Sequence, residues 1–183
     1  MMNRLLAKKL PNGCKEENAP YSCLLSGHIE QVADTAELLI DRISAKIAKR
    51  FQWPVALFRD TVMLAALGHD LGKIGSLFQP LVYGERIEQF VRHEVLSVWL
   101  LWRHSQLNNE IIKRFSRYGE RERKLSFAVV CLAIWGHHFK WEISRVHESE
   151  TIPTVQFPLD HPDLADITRL FKQFLGISLH PLE

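Results

Sequence analysis

The sequence predicts an all-α chain, and three observations carry that reading. Apolar residues recur at three- and four-residue steps along most of its length, and no stretch sustains the period-two alternation of a half-buried strand. Glycine or proline stands at several of the boundaries, at Pro54, Gly72, Gly136 and Pro162.

The elements follow in order. From Ser26 to about Lys49, the residues Ile29, Val32, Ala36, Leu39, Ile40, Ile43 and Ile47 form one apolar face, with Ser26 placed to cap the helix. Pro54 suits the first turn of a second helix carrying Leu57, Phe58, Val62, Met63, Ala65 and Ala66. Gly68 and Gly72 loosen the backbone around His69 and Asp70, so that pair sits where the second helix is ending. A third helix covers about Glu88 to Arg103, and a short fourth lies near Asn109 to Phe115. The fifth, about Glu120 to Trp135, is apolar nearly all round its second half and is expected at the centre of the fold. Phe139 to Pro158 reads as loop with a short hairpin, and a last helix starts near Pro162 with Leu164, Ile167, Leu170, Phe171 and Phe174 on one face.

Length and composition bound the function. The 183 residues suit one well-buried domain, and 46% hydrophobic with 24% charged residues excludes wholesale disorder. We expect a single domain over 1–183, with about the first 20 residues as an N-terminal extension. Leu125 to Trp135, the longest nearly apolar run, is far below the roughly 20 residues that span a bilayer, so no membrane partner is expected. The N-terminus lacks the apolar core of a secretory signal. Cys14, Cys23 and Cys131 are odd in number and lack metal-type spacing, which predicts reduced thiols and a cytoplasmic location. A formal charge of +2 implies no nucleic-acid partner by itself.

Nine histidines are about twice the usual share, and several fall at predicted helix ends. His69 and Asp70 are adjacent at a fraying helix terminus, where imidazole and carboxylate can turn to one point. Together they suit transition metals better than Ca2+. Lys73, one turn on, brings a cation to the same place. The dipeptide alone reads better as a helix cap with a surface charge. Its neighbours change that balance: His28 opens the first helix, His93 precedes the third helix's Val98-Trp99-Leu100, and His137-His138 close the most apolar helix. Two adjacent histidines at a buried helix end are hard to explain by packing, whereas a shared metal satisfies them. His104, His147, His161 and His180 read as caps or solvated residues.

The order His28, His69-Asp70 with Leu71-Gly72-Lys73, Phe78-Gln79, Arg92-His93-Glu94-Val95-Leu96-Ser97, then Gly136-His137-His138 resembles the HD-domain metal-dependent phosphohydrolases. More narrowly it is similar to the CRISPR-associated HD nucleases of type I interference systems, over about Tyr21 to His138. The resemblance implies an HD-domain helical bundle around a metal site holding one or two divalent ions: Mn, Co, Ni, Fe or Zn, with Mg as a further option. It implies His69 and Asp70 as ligands, Asp70 bridging, His28 on the first metal, and His93, His137 and His138 on the second. Lys73 would hold the scissile phosphate, making Lys73 and Asp70 the catalytic pair. The implied activity is phosphodiester hydrolysis of single-stranded DNA in antiviral CRISPR interference, with an effector complex and a helicase, in cis or trans, as partners.

Two departures stand beside that resemblance. The family's late aspartate ligand has only Asp160, Asp163 and Asp166 as candidates, and Phe139-Lys140-Trp141 follows the double histidine where glycine is common. No Walker-type loop is present, so the chain reads as a stand-alone subunit or an excised module. For strand contact, Lys113 to Lys124 carries six basic residues with Phe115 and Tyr118 interleaved, and Arg114, Arg117 and Arg121 are the expected phosphate contacts. Trp141 is a second stacking candidate. The alternative functions are an HD phosphohydrolase acting on nucleotides and a catalytically weak HD module that docks within the effector complex.

Overall fold

A computed structural model describes residues 4–85, 91–138 and 154–179. Among these, seven α-helices occur and no strand: α1 (Leu25–Phe51), α2 (Val55–Gly68), α3 (Gln79–Val82), α4 (His93–Arg103), α5 (Ser105–Phe115), α6 (Glu120–Gly136) and α7 (Leu164–Leu175). The all-α expectation holds. No helix of the described residues is long and apolar enough to cross a membrane.

The central helix is α2, which packs against α1, α4, α6 and α7. Leu57, Met63, Leu64 and Leu67 are buried on it, and the small Ala65, Ala66 and Gly68 let neighbours approach closely. A Cβ on Gly68 would come within 2.9 Å of Leu101 and 3.3 Å of Ile134, so this glycine fixes how near α4 and α6 lie.

The expectation that α6 is central is corrected. Only the stripe Ser126, Val130 and Ile134, spaced at i, i+4 and i+8, is buried against the core. Leu132 is 67% and Trp135 58% exposed. An apolar composition supplies burial only where neighbours exist, and α6 has α2 and α4 on one side. Ser26 is corrected too: α1 begins at Leu25, and Ser26 is buried inside its first turn with Leu24 at the cap position. Close packing explains this, since Gly27 lies directly against the Tyr21 carbonyl.

The N-terminal segment packs into the fold. Leu5, Leu6 and Ala7 are buried, Leu6 bridges Leu24, and the Ala7 N–H donates to the Cys23 carbonyl at 2.8 Å. Gln79 holds it from the other side: its Nε2 donates to the carbonyls of Leu6 (3.0 Å) and Lys73 (2.7 Å). The predicted start of the third helix at Glu88, most of the Phe139 to Pro158 stretch with Trp141 and His147, and His180 lie outside the described residues.

Candidate metal centre

At the C-terminal end of α2 the backbone leaves the helix through Asp70 into the 3-10 turn Leu71–Ile74. That turn packs on α4 at Gly72, where a Cβ would stand 2.0 Å from the His93 carbonyl. Ser97 locks the junction, since its Oγ accepts from the Gly72 N–H (2.8 Å) and donates to the His69 carbonyl (2.9 Å). The carboxylate of Asp70 is thereby carried, fully buried, to the point where α1, α2, α4 and α6 meet.

Four imidazoles converge on it, each through Nε2. Oδ2 lies 3.1 Å from His28 and 3.3 Å from His69; Oδ1 lies 3.2 Å from His93 and 3.5 Å from His137. The ligand atoms form two groups sharing Asp70: His28, His69 and Asp70, and Asp70, His93, His137 and His138. Each of these residues was singled out in the sequence, and the structure brings all of them together.

The imidazole tautomers are set locally. Nδ1–H of His69 donates to the Ala66 carbonyl at 2.7 Å, and Nδ1–H of His137 to the Ile134 carbonyl at 2.6 Å. Both carbonyls belong to the last turn of a helix, where acceptors are left over. With Nδ1 engaged by its carbonyl, Nε2 is the ring atom that faces Asp70.

Burial alone would push the Asp70 carboxyl up, but His137, His28, His69 and His93 together hold it well below the usual carboxylate range. His137 is pulled down by burial but raised overall by Asp70 and the Ile134 carbonyl. Burial and the neighbouring His137 and His93 push His138 down. An anion ringed by imidazoles is what a cation site requires.

The residues fit a metal on two observations. Asp70 Oδ1 and His93 Nε2 are buried without a hydrogen-bond partner, a costly arrangement unless both face a shared ion. The Nε2 atoms of His28 and His69 stand 3.4 Å apart, and two nitrogens each about 2.1 Å from a tetrahedral ion are separated by roughly that distance. Imidazole with one carboxylate suits borderline transition metals.

Lys73 is buried, with Nζ 2.7 Å from Asp70 Oδ2 and 3.1 Å from the Ala7 carbonyl. Its ammonium therefore touches the ligand rather than standing over the site. None of the late aspartates joins either ligand group. Asp163 accepts from Arg4 Nε (3.0 Å) and the Leu5 N–H (2.8 Å), while Asp160 and Asp166 are exposed.

The basic stretch behaves differently from its sequence expectation. Arg114 forms a two-pronged pair with buried Asp60 (3.1 and 3.0 Å), and Arg117 and the Tyr118 hydroxyl donate to the same carboxylate. Asp60 lies ten residues before Asp70, about 15 Å back along the helix direction. Arg121 is exposed in the first turn of α6. Sequence reasoning assigned no role to Asp60, Ser97 or Gln79, whose partners lie 54 to 73 residues away or across the junction.

The family described as "Cas3, HD domain" matches residues 7–179. A protein of Myxococcus xanthus (strain DK1622), named as a CRISPR-associated nuclease/helicase, Cas3, is 31% identical over 187 residues. The alignment covers 99% of this chain and 24% of that protein, so the chain spans about a quarter of this relative's length. No solved structure gives a significant match.

Proposed function

The chain belongs to the family of the Cas3 HD domain, and from that premise we propose that it is a metal-dependent nuclease module hydrolysing phosphodiester bonds of single-stranded DNA in CRISPR interference. The observation that carries the reading is Asp70: a fully buried carboxylate whose two oxygens face separate pairs of imidazoles.

His28, His69 and Asp70 would hold one divalent ion, and Asp70, His93, His137 and His138 a second. When bound, such ions activate water and polarise phosphoryl oxygens during an in-line displacement. The chain's own residues do the rest. Asp70 remains ionised across the physiological range and keeps one oxygen for each half of the site. Lys73 fixes Oδ2 and adds positive charge beside the ligand set. His69 and His137, locked by backbone carbonyls, offer lone pairs without rotating. His28 and His138 reach solvent, so a strand approaches from the open side of the cluster.

For strand contact we propose exposed Arg121, with the outer edge of Arg117, as phosphate partners. A helicase and an effector complex are the proposed partners, supported by the nuclease/helicase name of the Myxococcus xanthus relative. Metal analysis of the purified chain and cleavage of a labelled single strand, with and without chelator, test the reading. Bound divalent metal with chelator-sensitive cleavage is expected; a chain that neither binds Mn2+, Co2+ or Ni2+ at micromolar concentration nor cleaves would overturn it.

A further inference from the structure

Glu94 is 1% exposed, yet its Oε2 has no hydrogen-bond partner. It lies in the first turn of α4 immediately after the ligand His93, and its Oε2 stands 3.4 Å from His93 Nδ1. Arg92, at the cap position, pairs with Glu94 Oε1 and also donates from its guanidinium to the His138 carbonyl at 3.1 Å. One arginine and one carboxylate thus tie together two ligand segments 44 residues or more apart, the start of α4 and the end of α6.

A difference between helix ends explains why a side chain is needed here. His69 and His137 stand at C-terminal ends, where a carbonyl three residues back is available to take the Nδ1 proton. His93 is the first residue of α4, and a helix N-terminus offers N–H donors and no spare carbonyl. An acceptor for its Nδ1 must come from a side chain, and the carboxylate facing it is Glu94.

We propose that Glu94, held by Arg92, is a positioning residue for the second half of the metal centre. Closing the 3.4 Å approach to a hydrogen bond when the ion binds would keep the His93 proton on Nδ1 so that Nε2 faces the ion, and Arg92 sets the approach of the His138 segment. The inference rests on the metal reading above. The bland alternative is an acidic residue favoured by the α4 dipole, which would affect folding and leave metal affinity alone.

The test titrates Mn2+ into the full chain and reads affinity, with the metal-free melt as folding control. In a His28→Ala background, which leaves the Asp70, His93, His137 and His138 group, Glu94→Ala should weaken Mn2+ binding about 10- to 100-fold. Glu94→Gln, which retains an acceptor oxygen, should recover most of that loss. In a His93→Ala background, which leaves the His28, His69 and Asp70 group, Glu94→Ala should change affinity less than about twofold. Arg92→Met, at a side chain 40% exposed, should follow Glu94→Ala in both backgrounds and serves if that variant fails to fold. Equal weakening in both backgrounds, or none in either, overturns the proposal while leaving the metal reading standing. A wild-type chain that binds no Mn2+ overturns both.

Discussion

The ammonium of Lys73 lies 2.7 Å from Asp70 Oδ2, and both groups are buried. Spacing alone places Lys73 one turn after Asp70, free to reach a substrate. The fold instead closes the N-terminal segment over it, so that the Ala7 carbonyl takes a second of its protons. Lys73→Met, which keeps the apolar stem, is expected to lower cleavage about 100-fold or more and to weaken metal binding with it. Intact metal affinity with lost turnover would instead put the ammonium on the substrate phosphate.

Asp70→Asn removes the shared anion of both ligand groups. Saturating the wild-type chain at 100 times Kd should add about 2.7 kcal/mol, which for a chain of this size raises Tm by about 5–10 °C. The Asn variant should show almost none of that rise and no cleavage. A full metal-induced shift in Asp70→Asn would remove Asp70 from the ligand set.

His104 stands at the cap of α5, where its Nδ1 accepts from the Leu107 N–H at 3.3 Å. Only an unprotonated Nδ1 can accept, and burial pushes this imidazole below its ordinary value of 6.5. A lowered value means the folded state prefers the neutral form. The contribution is therefore present above about pH 6.5 and is lost as pH falls through the lower folded value. His104→Asn supplies a cap that does not titrate. Denaturant melts at pH 7.5 and 5.0 should show the variant gaining on the wild type at the lower pH; a pH-independent difference would contradict the cap.

The two faces of α6 give a direct contrast. Ile134 is fully buried and Leu132 is 67% exposed. Ile134→Ala should cost about 2–5 kcal/mol, and Leu132→Ala no more than about 0.5 kcal/mol. Comparable losses at both positions in chemical denaturation would place α6 inside the fold.

Gly72 is the contact between the turn after Asp70 and α4, and no side chain fits there because the obstacle is the His93 backbone. Gly72→Ala is expected to destabilise the chain by about 3 kcal/mol, near the upper end of overpacking effects, and to displace His93 from Asp70. Unchanged Mn2+ affinity and an unchanged melt would show that α4 does not rest on this glycine.

The helices were legible because their signal is local. The steps from Ile29 to Ile40 or from Leu164 to Phe171 are fixed by 3.6 residues per turn, whatever lies opposite. The residues of the candidate centre were legible for a related reason: histidines at helix ends, in the order His28, His69-Asp70, His93, His137-His138, have no easy role in apolar packing. Partners were not legible. Nothing near Arg114 and Arg117 announces that Asp60, more than fifty residues earlier, takes both guanidiniums. Nothing in the apolar run of α6 tells that one stripe alone meets α2, because burial depends on how many neighbours a helix has. The fold alone brought Ser97 and Ala7 to the supports of the ligands, since contacts across 25 to 66 residues arise only when α2, α4 and the N-terminal segment pack on one another. Sequence determined which side chains can bind a cation and which segments coil; tertiary packing decided which atoms those side chains face.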